Sequence, residues 1–97
     1  MLEELKRYLK ITWNDEDEDI QSIVKRGKAY LNGKSGAELD FEKDFALQQL
    51  LLDYGRYVYN HSFELFEVNF KRELLSLSLR EGVKARANSK TDTETGS

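Results

Sequence analysis

Leucines at positions 2, 5 and 9, with Tyr8 beside them, open the chain on a spacing that puts them along one face of a short amphipathic helix. Thr12 to Asp15 then fits the S/T-x-x-D/E pattern of a helix start, and the acidic run Asp15–Asp19 falls in the first turn or so, where carboxylates meet the positive end of the helix dipole. Ile20, Ile23, Val24, Gly27 and Leu31 carry a second stripe at helical spacing. Asn32, Gly33, Ser35 and Gly36 end it and form a loop. A third helix is predicted from near Asp40 and Phe41. Leu47, Leu50, Leu51, Tyr54 and Val58 make one face, and Phe45, Leu52 and Tyr59 make another at a spacing of seven. Gly55 sits inside this helix, where it costs about 1 kcal/mol against alanine, so close approach of a neighbouring helix is its expected reason.

Asn60, His61 and Ser62 interrupt the pattern, and Ser62 is placed to cap a fourth helix with Glu64 and Glu67 in its early turns. Phe63, Phe66, Phe70, Leu74 and Leu77 form one stripe of that helix and are its expected core. Val68, Leu75 and Leu79 form a second stripe, and the helix is expected to end by Gly82. The only strand-like alternation, 75–79, is short and lies in a helical context. Ala85–Ser97 holds no large apolar residue and cannot bury enough to order by itself. The reading is an all-α chain: a small bundle of about four helices over residues 1–84 and a flexible C-terminal tail over 85–97. A length of 97 residues without proline suits one such domain, able to bury about 65% of its unfolded surface.

Composition removes several classes of function. No cysteine is present, which excludes a disulfide framework and thiolate metal sites, and one histidine, His61, does not build a zinc site. No apolar run approaches the length of a membrane span. The charged, amphipathic opening is unlike a secretory signal, so the expected compartment is the cytoplasm or a particle assembled there. The net charge is −3 and the pI about 5.2, and the cations come in small clusters interleaved with acids, which does not describe a clamp for nucleic acid. Asp15, Asp17 and Asp19 mimic the start of an EF-hand loop. The glycine and glutamate required at its sixth and twelfth positions are here Ile20 and Arg26. His61, between Asn60 and Ser62, is read as a helix-boundary residue, since sequence adjacency does not assemble a triad. No phosphate-binding glycine loop or nucleophile elbow occurs. The expectation is a protein without catalytic, cofactor or metal residues.

Five tyrosines, five phenylalanines and one tryptophan are many for this length. The two-sided third and fourth helices hold more apolar surface than one small bundle covers from within, which points to homo-oligomerisation or docking. The order of elements adds something more specific. Leu5-x-x-Tyr8-Leu9-Lys10-Ile11, the acidic run, and Ile20-x-x-Ile23-Val24 together resemble the opening of the small head–tail connector proteins of long-tailed bacteriophages. These are also called head-completion or DNA-packaging adaptor proteins. Tyr59-Asn60 is similar to the end of that family's third helix. Leu74-Leu75-Ser76-Leu77-Ser78-Leu79-Arg80 resembles its terminal leucine-rich stretch. The likeness spans residues 2–83.

The resemblance implies a structural subunit that forms a ring beneath the portal, dodecameric when on it and free to be a monomer in solution. The ring would extend the DNA channel and join the portal protein to a downstream connector or tail-completion protein. DNA would pass without sequence-specific binding, and an acidic surface suits a conduit in which DNA must slide. The chain would sit at the head–tail interface of the virion, and in the host cytoplasm during assembly. Arg80, Lys84 and Arg86 are the candidate contacts to the portal; favourable interaction with the end of the fourth helix is their alternative role. Two other readings stay open: a small helical DNA-binding regulator, and a generic protein-interaction adaptor. A metal-dependent nuclease built on the acidic run is a third rival.

Overall fold

The computed structural model describes residues 1–81; Lys84, Arg86 and the expected tail lie outside the described residues. The described chain is all-α, a bundle of α1 (Leu2–Leu9), α2 (Asp17–Ser35), α3 (Phe45–Tyr59), α4 (Phe63–Asn69) and α5 (71–81), with no strand among the described residues. The fourth predicted helix is thus two. They meet at Phe70, whose backbone (φ −111°, ψ 19°) leaves helical values. Phe70 N–H still bonds Phe66 O and Leu74 N–H bonds Phe70 O, both at 2.9 Å, so the axis bends rather than turns. The Phe70 ring stacks on Phe66 at 4.9 Å and meets Tyr57 edge-on at 5.7 Å. The bend lets the phenylalanines of α4 and the leucines of α5 reach the same core. Neither proline nor glycine marks it.

Helix α3 is the centre, packed by α1, α2 and α4. Helix α5 runs back antiparallel along it: Phe70 lies beside Tyr57, and ten residues on Arg80 pairs with Asp44 at 3.4 Å, at the start of α3. Two glycines set the closeness of these packings. A Cβ on Gly55 would lie 2.7 and 2.8 Å from the two Leu5 methyls of α1. One on Gly27 would lie 2.6 Å from Leu51 Cδ1 and 2.7 Å from Tyr54 Cδ1. Close helix approach is therefore the reason for Gly55, as the sequence suggested. Leu5, Ile20, Leu31, Leu51 and Phe66 are the most completely buried large side chains. Of the expected core of the fourth segment, Phe66, Leu74 and Leu77 are buried, while Phe63 and Phe70 are partly buried against it.

Helix ends depart from the sequence reading in instructive ways. α2 starts at Asp17, not after Thr12, which is exposed and outside the helix. The intervening chain is committed elsewhere. Lys10 adopts the left-handed conformation (φ 61°), and Ile11 N–H bonds Lys6 O at 2.8 Å, closing α1 with a Schellman motif and burying Ile11. α3 starts at Phe45 rather than near Asp40. Asp44 is its cap and accepts from Ala46 N–H (2.9 Å) and Leu47 N–H (3.3 Å), while Asp40 makes a separate turn by accepting from Glu42 N–H (3.1 Å). His61 (φ 57°) ends α3 as Lys10 ends α1, with Ser62 N–H on Tyr57 O at 2.7 Å. Ser62 occupies the N-cap position of α4, but its hydroxyl donates to Asn60 O and caps nothing. Gly36 closes α2 with φ 73°, as its place in the sequence predicts.

Candidate interaction surface

Most aromatic residues are absorbed inside. Tyr30, Tyr54, Tyr57, Phe63, Phe66 and Phe70 form one connected cluster, mainly edge-to-face, joining α2, α3 and α4. Three tyrosine hydroxyls staple the periphery by donating to carboxylates on other elements. Tyr8 reaches Asp53 Oδ1 (2.5 Å), Tyr30 reaches Glu67 Oε2 (2.7 Å) and Tyr59 reaches Glu16 Oε2 (2.9 Å). Each phenol is held above its ordinary range. The hydrogen bond to the carboxylate is the main cause for Tyr8 and Tyr59, and burial followed by the Glu67 bond for Tyr30.

The acidic run does not gather into a metal site, and no group of three or more potential ligands occurs among the described residues. Its members are divided between partners. Asp17 pairs with the buried Lys6 at 2.7 Å, and Lys6 also donates to Asn14 Oδ1 at 2.6 Å. Glu16 accepts from Trp13 Nε1–H at 2.7 Å as well as from Tyr59. Asp15, Glu18 and Asp19 remain exposed and unpaired among the described residues. His61 is exposed, and its place is explained by the backbone turn it makes.

The second stripe of the fourth segment stays outside. Val68, Leu75 and Leu79 are 70%, 58% and 61% exposed along the outer side of α4 and α5, and Leu65, which the sequence pattern did not assign to the stripe, joins them at 53%. Their spacing of three, seven and four residues is that of a helix face made to lie against another helix. Lys71 and Arg72 sit midway along this stripe, exposed and without an ion-pair partner among the described residues. The expected second face of α3 is less uniform: Phe45 is 86% exposed, whereas Leu52 and Tyr59 pack against the core.

Between α3 and α5 runs an open groove of about 450 Å³, with Leu47, Leu50, Phe70 and Leu77 among its apolar lining and Arg72 and Glu73 among its charges. Asp53 borders it. Asp53 is buried, accepts from Tyr8 and Gln49, and lies 3.7 Å from Arg56. The Arg56 guanidinium in turn covers the Tyr57 ring at 4.8 Å. Sequence reading did not single out Asp53, Arg56 or Trp13, because Asp53 and Arg56 both take their meaning from Tyr8, far along the chain, whose ring Arg56 covers at 5.9 Å, and Trp13 from a loop conformation. Of the candidate portal contacts, Arg80 is described. It lines the groove and pairs with Asp44, so it docks α5 on α3; Lys84 and Arg86 lie outside the described residues.

No helix among the described residues is long and apolar enough to cross a membrane. Compared with protein-family models, curated proteins and solved structures, the chain has no significant match.

Proposed function

We propose that this protein is a structural assembly subunit whose work is done by docking. In particular it would be a head–tail connector subunit of a long-tailed bacteriophage, as the order of its sequence elements suggests. The observation that supports docking is the row Leu65, Val68, Leu75 and Leu79, apolar side chains more than half exposed on one face. A monomer gains nothing from such a face, and contiguous patches of this kind are usually binding surfaces. In the connector reading the subunit forms a ring under the portal, dodecameric there, and prolongs the DNA channel. It joins the portal to a downstream connector or tail-completion protein at the head–tail interface. Arg80 would then serve two purposes, holding α5 to Asp44 and, with Lys84 and Arg86, meeting the portal. The net charge of −3 supports passage of DNA without gripping.

The test is electron microscopy of this protein with a cognate portal protein. An additional ring on the portal is the expected result. Absence of binding at micromolar concentrations overturns the connector role. A gel-shift at low salt separates the DNA-binding regulator, which would retain duplex tightly where a connector would not.

A further inference from the structure

The exposed apolar stripe and the exposed acidic turn lie on different elements; the turn is acidic, while the stripe carries Lys71 and Arg72 among exposed charges that also include Glu64 and Glu73. Leu65, Val68, Leu75 and Leu79 offer on the order of 400 Å² of apolar surface, near the largest patch a monomer usually carries. Lys71 and Arg72 fall between Val68 and Leu75 with no ion-pair partner among the described residues, Arg72 at the edge that also borders the α3–α5 groove. The turn before α2 presents Trp13, 47% exposed, its indole held in place by Glu16, beside the unpaired Asp15, Glu18 and Asp19. A large aromatic anchor immobilised by a hydrogen bond and ringed by charge is the type of group that dominates interfaces. The stripe runs the length of α3, from Leu65 in α4, just past the α3 end, to Leu79 beside Arg80, which pairs with Asp44 at the α3 start; Trp13 lies at the α3 end, where it shares Glu16 with Tyr59. In the folded chain Trp13 and all four stripe residues stay exposed, so one molecule does not close this contact on itself.

We infer that the α4–α5 stripe of one copy receives the Trp13 turn and acidic start of α2 of a second copy, in a head-to-tail contact. Apolar side chains meet Trp13, and Lys71 and Arg72 meet Asp15, Glu18 and Asp19. The inference deepens the assembly role proposed above by naming its self-contact. Because donor and acceptor surfaces differ, the contact is heterologous, the kind that closes into rings or runs on into filaments. The apolar stripe supplies about half of the roughly 800 Å² per partner of a specific interface.

The test uses this chain alone, so it is independent of portal binding. Sedimentation equilibrium of the full chain is measured against concentration and salt, with helicity followed by circular dichroism. Self-association is expected, weakening as salt rises. Lys71→Glu with Arg72→Glu weakens it at least about tenfold, as does Asp15→Lys with Glu18→Lys. Combining all four reversals restores it, because the complementarity is rebuilt with the signs exchanged. Should the lysine reversals disturb α2, Asp15→Asn with Glu18→Gln keeps the shape and still loosens assembly. Three results overturn the inference: a monomer at every concentration up to about 1 mM, association indifferent to the Lys71/Arg72 reversal, or a fourfold variant no tighter than the double ones. The last would indicate that the stripe pairs with its own copy instead. A chain that assembles in this way yet ignores the portal would refute the connector role and leave the self-contact standing.

Discussion

Lys6 shows how a residue's chemistry is set by its neighbours. Its position in α1 turns a long, charged side chain inward, where it is 5% exposed. It is tolerable there because Asp17 supplies an opposite charge and Asn14 an acceptor. The pair ties the end of the first helix to the start of the second and draws the 12–16 loop across. Its two members should respond unequally to substitution. Lys6→Met removes both the charge and the need for a partner, and should change the urea midpoint little. Asp17→Ala leaves a buried ammonium with one neutral acceptor and should cost about 1–3 kcal/mol. Equal losses in the two variants would mean that the pair is a net attraction rather than a repaired desolvation.

At the scale of elements, glycine has opposite meanings in one helix. Gly27 and Gly33 both lie within α2. Nothing lies within 4 Å of a Cβ built on Gly33, whereas one on Gly27 meets the buried Leu51 and the Tyr54 ring below 3 Å. Gly33→Ala should therefore stabilise the fold by roughly 0.5–1 kcal/mol through helix propensity. Gly27→Ala gains the same propensity but must part α2 from α3, and overpacking of about 1–3 kcal/mol makes it a net loss. Thermal unfolding of both variants checks the sign of each. The stripes through Ile20–Leu31 and Leu47–Val58 were legible in the sequence because burial follows the 3.6-residue period. The starts of α2 and α3 were not, because local cues compete there. Thr12 offered a cap that Ile11's burial overrode, and of Asp40 and Asp44 only the second caps a helix.

Taken as one molecule, the bundle is closed by tyrosine hydroxyls on carboxylates. Tyr8 joins α1 to α3, Tyr30 joins α2 to α4, and Tyr59 joins α3 to the turn before α2. All three phenols have their proton held more tightly in the folded chain than in the unfolded one. The stabilisation is fully present below the unfolded value of about 10, and is lost as pH rises through the folded values. The urea midpoint should thus be insensitive to these groups below pH about 10 and fall above it. Tyr30→Phe should lessen the fall. A midpoint unchanged by strong alkali would show that the staples contribute nothing to the fold.

The hydrophobic period, the missing proline and the glycines near helix ends determined an all-α chain and most of its core. They also marked Val68, Leu75 and Leu79 as a stripe apart from that core, since apolar spacing is a property of the chain itself. Tertiary structure decided that the stripe stays outside. Once Phe66, Leu74 and Leu77 had turned toward α3, helical geometry left Leu65, Val68, Leu75 and Leu79 facing outward. Likewise, only folding sorted the acidic run into carboxylates consumed by Lys6, Trp13 and Tyr59 and those left exposed. These partners lie three, eleven and forty-three positions away, and no single local period encodes all three separations.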